Sequence, residues 1–101
     1  MRLNQYEKEV IAASARKYFG ENTGVILFGS KADDTRKGGD IDLVVMPDIY
    51  NSPEEMLEKK IRMLIDLEQK LGEQKIDIII QQLNDSRAII KTAEKTGIAI
   101  C

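Results

Sequence analysis

Val25-Ile26-Leu27-Phe28-Gly29-Ser30-Lys31 and, with nine residues between Ser30 and Asp40, Asp40-Ile41-Asp42-Leu43-Val44-Val45-Met46 are two apolar runs joined by a polar, glycine-containing loop. Each run is too short for an amphipathic helix and is rich in β-branched and aromatic residues, so each reads as a strand. Gly24 and Gly29 bound the first and Pro47 stops the second. Side chains alternate along a strand. Ile41, Leu43 and Val45 therefore share one face, and Asp40, Asp42, Val44 and Met46 share the other. Lys75-Ile76-Asp77-Ile78-Ile79-Ile80-Gln81 repeats the pattern. Ile76, Ile78 and Ile80 form its apolar face, and Asp77 stands with Ile79 on the opposite one. Both strands thus carry one greasy face and one face bearing carboxylates.

Helical spacing fills the remaining chain. Leu3, Tyr6, Val10 and Ala13, with Ile11 and Tyr18 beside them, predict a first helix ended by Gly20. Ser52-Pro53-Glu54-Glu55 predicts a capped start, with a capping box closed by Glu55. The following stripe of Leu57, Ile61, Leu64, Leu67 and Leu71 is read as core, and Gly72 ends the helix. Met46, Met56 and Met63 are read as packing residues. Asn84-Asp85-Ser86 is expected to open a last helix with Ile89, Ile90 and Ala93 inward, closed by Gly97. Ile98-Ala99-Ile100 is a candidate edge strand. This order predicts an α/β (α+β) fold, a small mixed sheet with helices mainly on one face, formed by residues 1–101 as a single domain.

Composition narrows the chemistry. The chain has 101 residues, 15 basic and 17 acidic side chains, no His, no Trp, one Cys and a net charge of −2. One Cys excludes an intramolecular disulfide, and without His the usual structural zinc sets are out of reach. The near-neutral balance argues against a dedicated nucleic-acid-binding module. No apolar stretch approaches the ~20 residues of a membrane span, and no secretory signal is visible, so the expected location is the cytoplasm. Any catalysis has to rely on carboxylates, hydroxyls, Lys or metal ions.

Asp40 and Asp42 project from one strand face and are close enough to share a cation. Two adjacent carboxylates are costly without a counter-charge, and Mg²⁺ is a hard ion suited to such oxygen donors. Asp77 supplies a third carboxylate if its strand is a sheet neighbour, and three suffice for a two-metal displacement at phosphorus. The simpler alternative is that these Asp residues are solvated strand ends. Gly29-Ser30, directly after a buried strand, offers backbone N–H groups and a hydroxyl to a phosphate. Its simpler alternative is an ordinary strand-to-helix turn. The chain has neither a P-loop sequence nor a Gly-x-Gly-x-x-Gly fingerprint.

Taken together, Leu-Phe-Gly-Ser, nine residues, Asp-Ile-Asp-Leu-Val-Val and a downstream Lys-Ile-Asp-Ile-Ile-Ile resemble the DNA polymerase β-like nucleotidyltransferase superfamily. The closest likeness is to its minimal nucleotidyltransferases, often paired with a HEPN-domain protein in toxin–antitoxin modules. The resemblance implies the palm-like nucleotidyltransferase fold and a nucleotide site at Gly29, Ser30 and Lys31. It further implies two Mg²⁺ ions held by Asp40, Asp42 and Asp77, the catalytic carboxylates. The implied reaction is transfer of NMP, with AMP from ATP favoured, to a hydroxyl such as a tyrosine of a HEPN partner. A homo-oligomer is a further open option. One departure is plain: many members follow the Gly-Ser turn with a basic residue, Ala, Arg and Gly, where this chain has Lys31-Ala32-Asp33-Asp34. That substitution keeps a second reading open, a non-catalytic antitoxin-like subunit that acts by contact alone.

Overall fold

The computed structural model describes residues 3–28, 41–72 and 75–101. Helix α1 (Gln5–Phe19) leads into strand β1 (Gly24–Phe28), and β2 (Ile41–Met46) follows. Helix α2 (Pro53–Leu71), strand β3 (Ile76–Ile80), helix α3 (Ala88–Thr96) and the two-residue β4 (Ile98–Ala99) complete the chain. The strands form one sheet in the order β3-β2-β1-β4. β1 runs antiparallel to both β2 and β4, whereas β2 and β3 are parallel. The sheet is therefore mixed, as the alternating element order implied.

Two helices cover one face. Val25, Leu27, Ile41, Leu43, Val45, Ile76, Ile78 and Ile80 join Ile11, Ala15 and Phe19 of α1 and Met63 and Leu67 of α2 in the main core. The strand parity expected from period two is the observed one. On the opposite face Ile26 and Val44 meet Ile90 and Ala93 of α3, with Phe28, Met46 and Ile79 at the margin. Helices thus lie mainly on one face, but the second face is half covered rather than bare. The tight approach of α3 to β1 needs Gly97, since a Cβ there would run into Ile26 and lie 2.9 Å from the Leu27 carbonyl.

The phases of two helices differ from the sequence reading. In α1 the buried set is Ile11, Ala12, Ser14, Ala15 and Phe19, while Tyr6 is exposed and Ala13 faces solvent. The inward stripe is Ile11-Ala15-Phe19, one step round from the expected one. In α2 only Met63 and Leu67 are buried, and Met56, Leu64 and Leu71 pack at the edge of the core. Leu57 and Ile61, expected in that core, are exposed. α2 carries apolar residues round more of its circumference than the sheet can cover, and the longer reach of Met56 and Met63 fills the sheet-side gap.

Helix starts also differ in detail. Ser52 caps α2 by accepting from the Glu55 N–H at 3.2 Å, with Pro53 in the first turn. The Glu55 carboxylate meets the Ser52 hydroxyl at 3.3 Å, so the expected reciprocal box is replaced by a side-chain contact. A full box instead forms at α1, where Asn4 Oδ1 accepts from the Glu7 N–H and Glu7 Oε1 from the Asn4 N–H. Asn84-Asp85-Ser86 does not open α3, which begins at Ala88 with no side-chain cap. Asp85 is diverted: it accepts from the backbone N–H groups of Gln82 and Arg87 and pairs with the Arg87 guanidinium at 2.7 Å.

Candidate active site

The candidate site lies at the starts of two parallel strands. Ile41 and Ile76 are buried in the helix-covered core, so the next residue of each strand points to the other face. Those residues are Asp42 and Asp77, and they are register partners in the β2–β3 ladder. On the other side of β2, Phe28 at the end of β1 is paired with Asp42. Phe28, Asp42 and Asp77 therefore form one row across three strands, with neighbouring strands ~4.8 Å apart. Asp42 is half-buried and Asp77 is exposed. α3 packs farther along this face, on Ile26 and Val44, with Phe28 at the margin of that cluster.

Gly29, Ser30, Lys31 and Asp40 lie outside the described residues, as do Asp33 and Asp34. What the structure does describe is the frame on either side of that segment. Phe28 and Ile41 stand at the same end of adjacent antiparallel strands. Asp40 precedes Ile41 in sequence, and Gly29 follows Phe28. Phe28, the last residue of β1, thus lies in the row that contains Asp42, and Ile41 begins β2 beside it.

Two carboxylates side by side on a sheet repel one another, and such an arrangement favours a cation shared between them. Both are hard oxygen donors, and they fit Mg²⁺ in donor chemistry. Among the described residues no cluster of three or more His, Cys, Asp or Glu is found; the third carboxylate of the expected set is Asp40. Phe28 gives the row an apolar flank, which sharpens electrostatic interactions by thinning water on that side.

Other polar features belong elsewhere. A cleft of about 480 Å³ lies at the far end of β3, bordered by Ile78–Ile80, Tyr50, Met56, Lys60 and Arg87. The Tyr50 hydroxyl donates to the Gln81 carbonyl at 2.8 Å, and Arg87 Nη2 to the Ile80 carbonyl at 2.9 Å. Arg87 and the Gln82 N–H hold the Asp85 carboxyl well below the usual range, and Asp85 in turn raises Arg87. These groups tie the turn after β3 to the strand end. Sequence reading took Asp85 for a helix cap and missed this clamp; its only signal was an Arg two residues on.

A four-stranded mixed sheet with three helices is the architecture of a polymerase β-like nucleotidyltransferase fold. The chain matches the family described as "Polymerase beta, Nucleotidyltransferase" over residues 9–101 and belongs to it. A comparison with curated proteins finds no match. No helix among the described residues is long and apolar enough to cross a membrane.

Proposed function

We propose that residues 1–101 act as a single minimal nucleotidyltransferase domain in the cytoplasm. It transfers an NMP group, AMP from ATP, to a hydroxyl acceptor, a tyrosine of a HEPN-domain partner, in an antitoxin role. The observation that carries this reading is the pairing of Asp42 with Asp77 on neighbouring strands, in a chain of this family.

In this mechanism Asp40 and Asp42 would hold the Mg²⁺ that accompanies the triphosphate, and Asp77 would complete the set. The bound Mg²⁺ ions would supply charge neutralisation on the phosphates. Gly29 leaves room for a phosphate against the backbone, Ser30 donates its hydroxyl to a phosphate oxygen, and Lys31 adds a cation. Asp77, exposed on the row, takes the proton of the acceptor hydroxyl. The acceptor oxygen then bonds to the α-phosphorus, and the bond to the β-phosphate oxygen breaks to release pyrophosphate. The protein contributes by placing the groups and by fixing charges where the transition state needs them.

The test is incubation with α-phosphate-labelled ATP, Mg²⁺ and the product of the neighbouring HEPN-type gene. Label should become covalently attached to a partner tyrosine, and Asp42→Asn should abolish it. The second reading rests on Asp33-Asp34 in place of the usual Arg-Gly. If the partner binds tightly, no label transfers, and Asp42→Asn leaves that binding unchanged, the protein is a contact-only antitoxin subunit.

A further inference from the structure

Leu57, Ile61 and Ile65 are 58, 48 and 49% exposed, although they recur every fourth residue along one helix. Exposed apolar residues are ordinary when scattered singly; a row of them marks an interaction surface. With Glu54, Glu58 and Arg62 they line a shallow groove of about 510 Å³ on α2. Leu57 also borders the cleft beside β3, where Leu83 is exposed, so the apolar surface continues past the helix.

We propose that this face is a homodimer interface, in which α2 packs antiparallel on α2 of a second copy about a two-fold axis at Ile61. The stripe is complementary to itself. An axis at Ile61 brings Leu57 level with Ile65 of the second copy, because both lie four residues, ~6 Å, from the axis. Ile61 meets its own image. A two-fold relating antiparallel helices also places the same flank of each together. Glu58 of one copy therefore falls within ~3 Å, measured along the helix, of Arg62 of the other, and the reciprocal pair forms by symmetry. Within one chain these two side chains touch at only 3.7 Å and are both well exposed, so they are available to re-pair. Arg62 also lies ~3 Å along the helix from its own image, so the two Glu58–Arg62 pairs flank and offset a central like-charge contact.

The same axis brings Glu54 level with Glu68 of the second copy, seven residues either side of Ile61. Those like charges weaken the ends of the interface and give the proposal a signed test. Sedimentation equilibrium of the full chain should show a concentration-dependent monomer–dimer equilibrium. Ile61→Asp should leave a monomer with the parent's melting temperature at dilute concentration, since Ile61 is outside the core. Glu68→Lys should tighten the dimer about tenfold by turning two repulsions into attractions. Glu58→Arg should loosen it, and Glu58→Arg combined with Arg62→Glu should restore it. A parent that stays monomeric to millimolar concentration overturns the proposal. So does a dimer indifferent to Ile61→Asp, or a stripe protected only when a different protein is added.

Discussion

The two faces of the sheet are put to different uses. The face under α1 and α2 is closed by Ile11, Phe19, Met63 and Leu67 against eight strand residues. The opposite face has a small cluster, Ile26 and Val44 under Ile90 and Ala93, and then the row of Phe28, Asp42 and Asp77. A chain this short cannot build two deep cores. It concentrates apolar burial on one side and leaves strand starts on the other for charged groups that would be intolerable inside. Substitutions on the first face should therefore act on stability, and substitutions in the row on chemistry.

The largest separation is expected for Asp42→Asn, which should lower label transfer by at least ~1000-fold while the protein still unfolds cooperatively, as the metal-holding role proposed for Asp42 implies. Circular dichroism melts alongside the transfer assay check this. Phe19→Ala on the first face should cost about 3–5 kcal/mol, because a fully buried ring leaves a cavity in the core at the C-terminal end of α1. Ile90→Ala should cost less, about 2 kcal/mol, since the buried cluster under α3 has only four members among the described residues. Urea midpoints rank the two, and the reverse order would break the contrast between the faces. In EDTA, Asp77→Asn should raise stability slightly, by at most ~1 kcal/mol, because it removes a like charge directly across from Asp42.

The smallest effect concerns pH on the helix-covered side. Asp66 on α2 is mostly buried beside Lys70, its partner at 3.1 Å, and the Ser14 hydroxyl approaches it without a well-aligned hydrogen bond. Burial alone would raise its carboxyl, but the Ser14 hydroxyl and the Lys70 ammonium outweigh that and hold it below the ordinary value. A depressed folded value means that this contribution is complete above the unfolded value of about 4 and is lost as pH falls through the lower folded value. Asp66→Asn should accordingly flatten the acid side of a stability–pH profile measured by urea unfolding.

The strands were readable because a period of two admits no ambiguity. Once Ile41, Leu43 and Val45 face the core, Asp42 cannot. Helix phase was less readable. Tyr6 and Ala13 in α1, and Leu57 and Ile61 in α2, are as apolar in sequence as the residues that are buried. Which stripe turns inward depends on where the helix lies on the sheet, a tertiary choice that local pattern does not encode. The start of α3 was obscured for a similar reason, since Asp85 has cap chemistry but is claimed by Arg87. Parity alone put Asp42 and Asp77 on the face away from the main core, and the family resemblance made them site candidates. Their adjacency required β3 to lie beside β2, and that is a fact of topology.

In the proposed mechanism Asp77, the register partner of Asp42, serves the acceptor rather than the nucleotide. The decisive measurement compares Mg-ATP binding by calorimetry with label transfer for the parent, Asp77→Asn and Glu94→Gln, an exposed α3 residue used as control. Asp77→Asn should keep Mg-ATP affinity within a few-fold and lose at least ~100-fold in transfer, in the range for a general base acting in the transition state, while Glu94→Gln matches the parent. Transfer by Asp77→Asn at the parent rate would contradict the account.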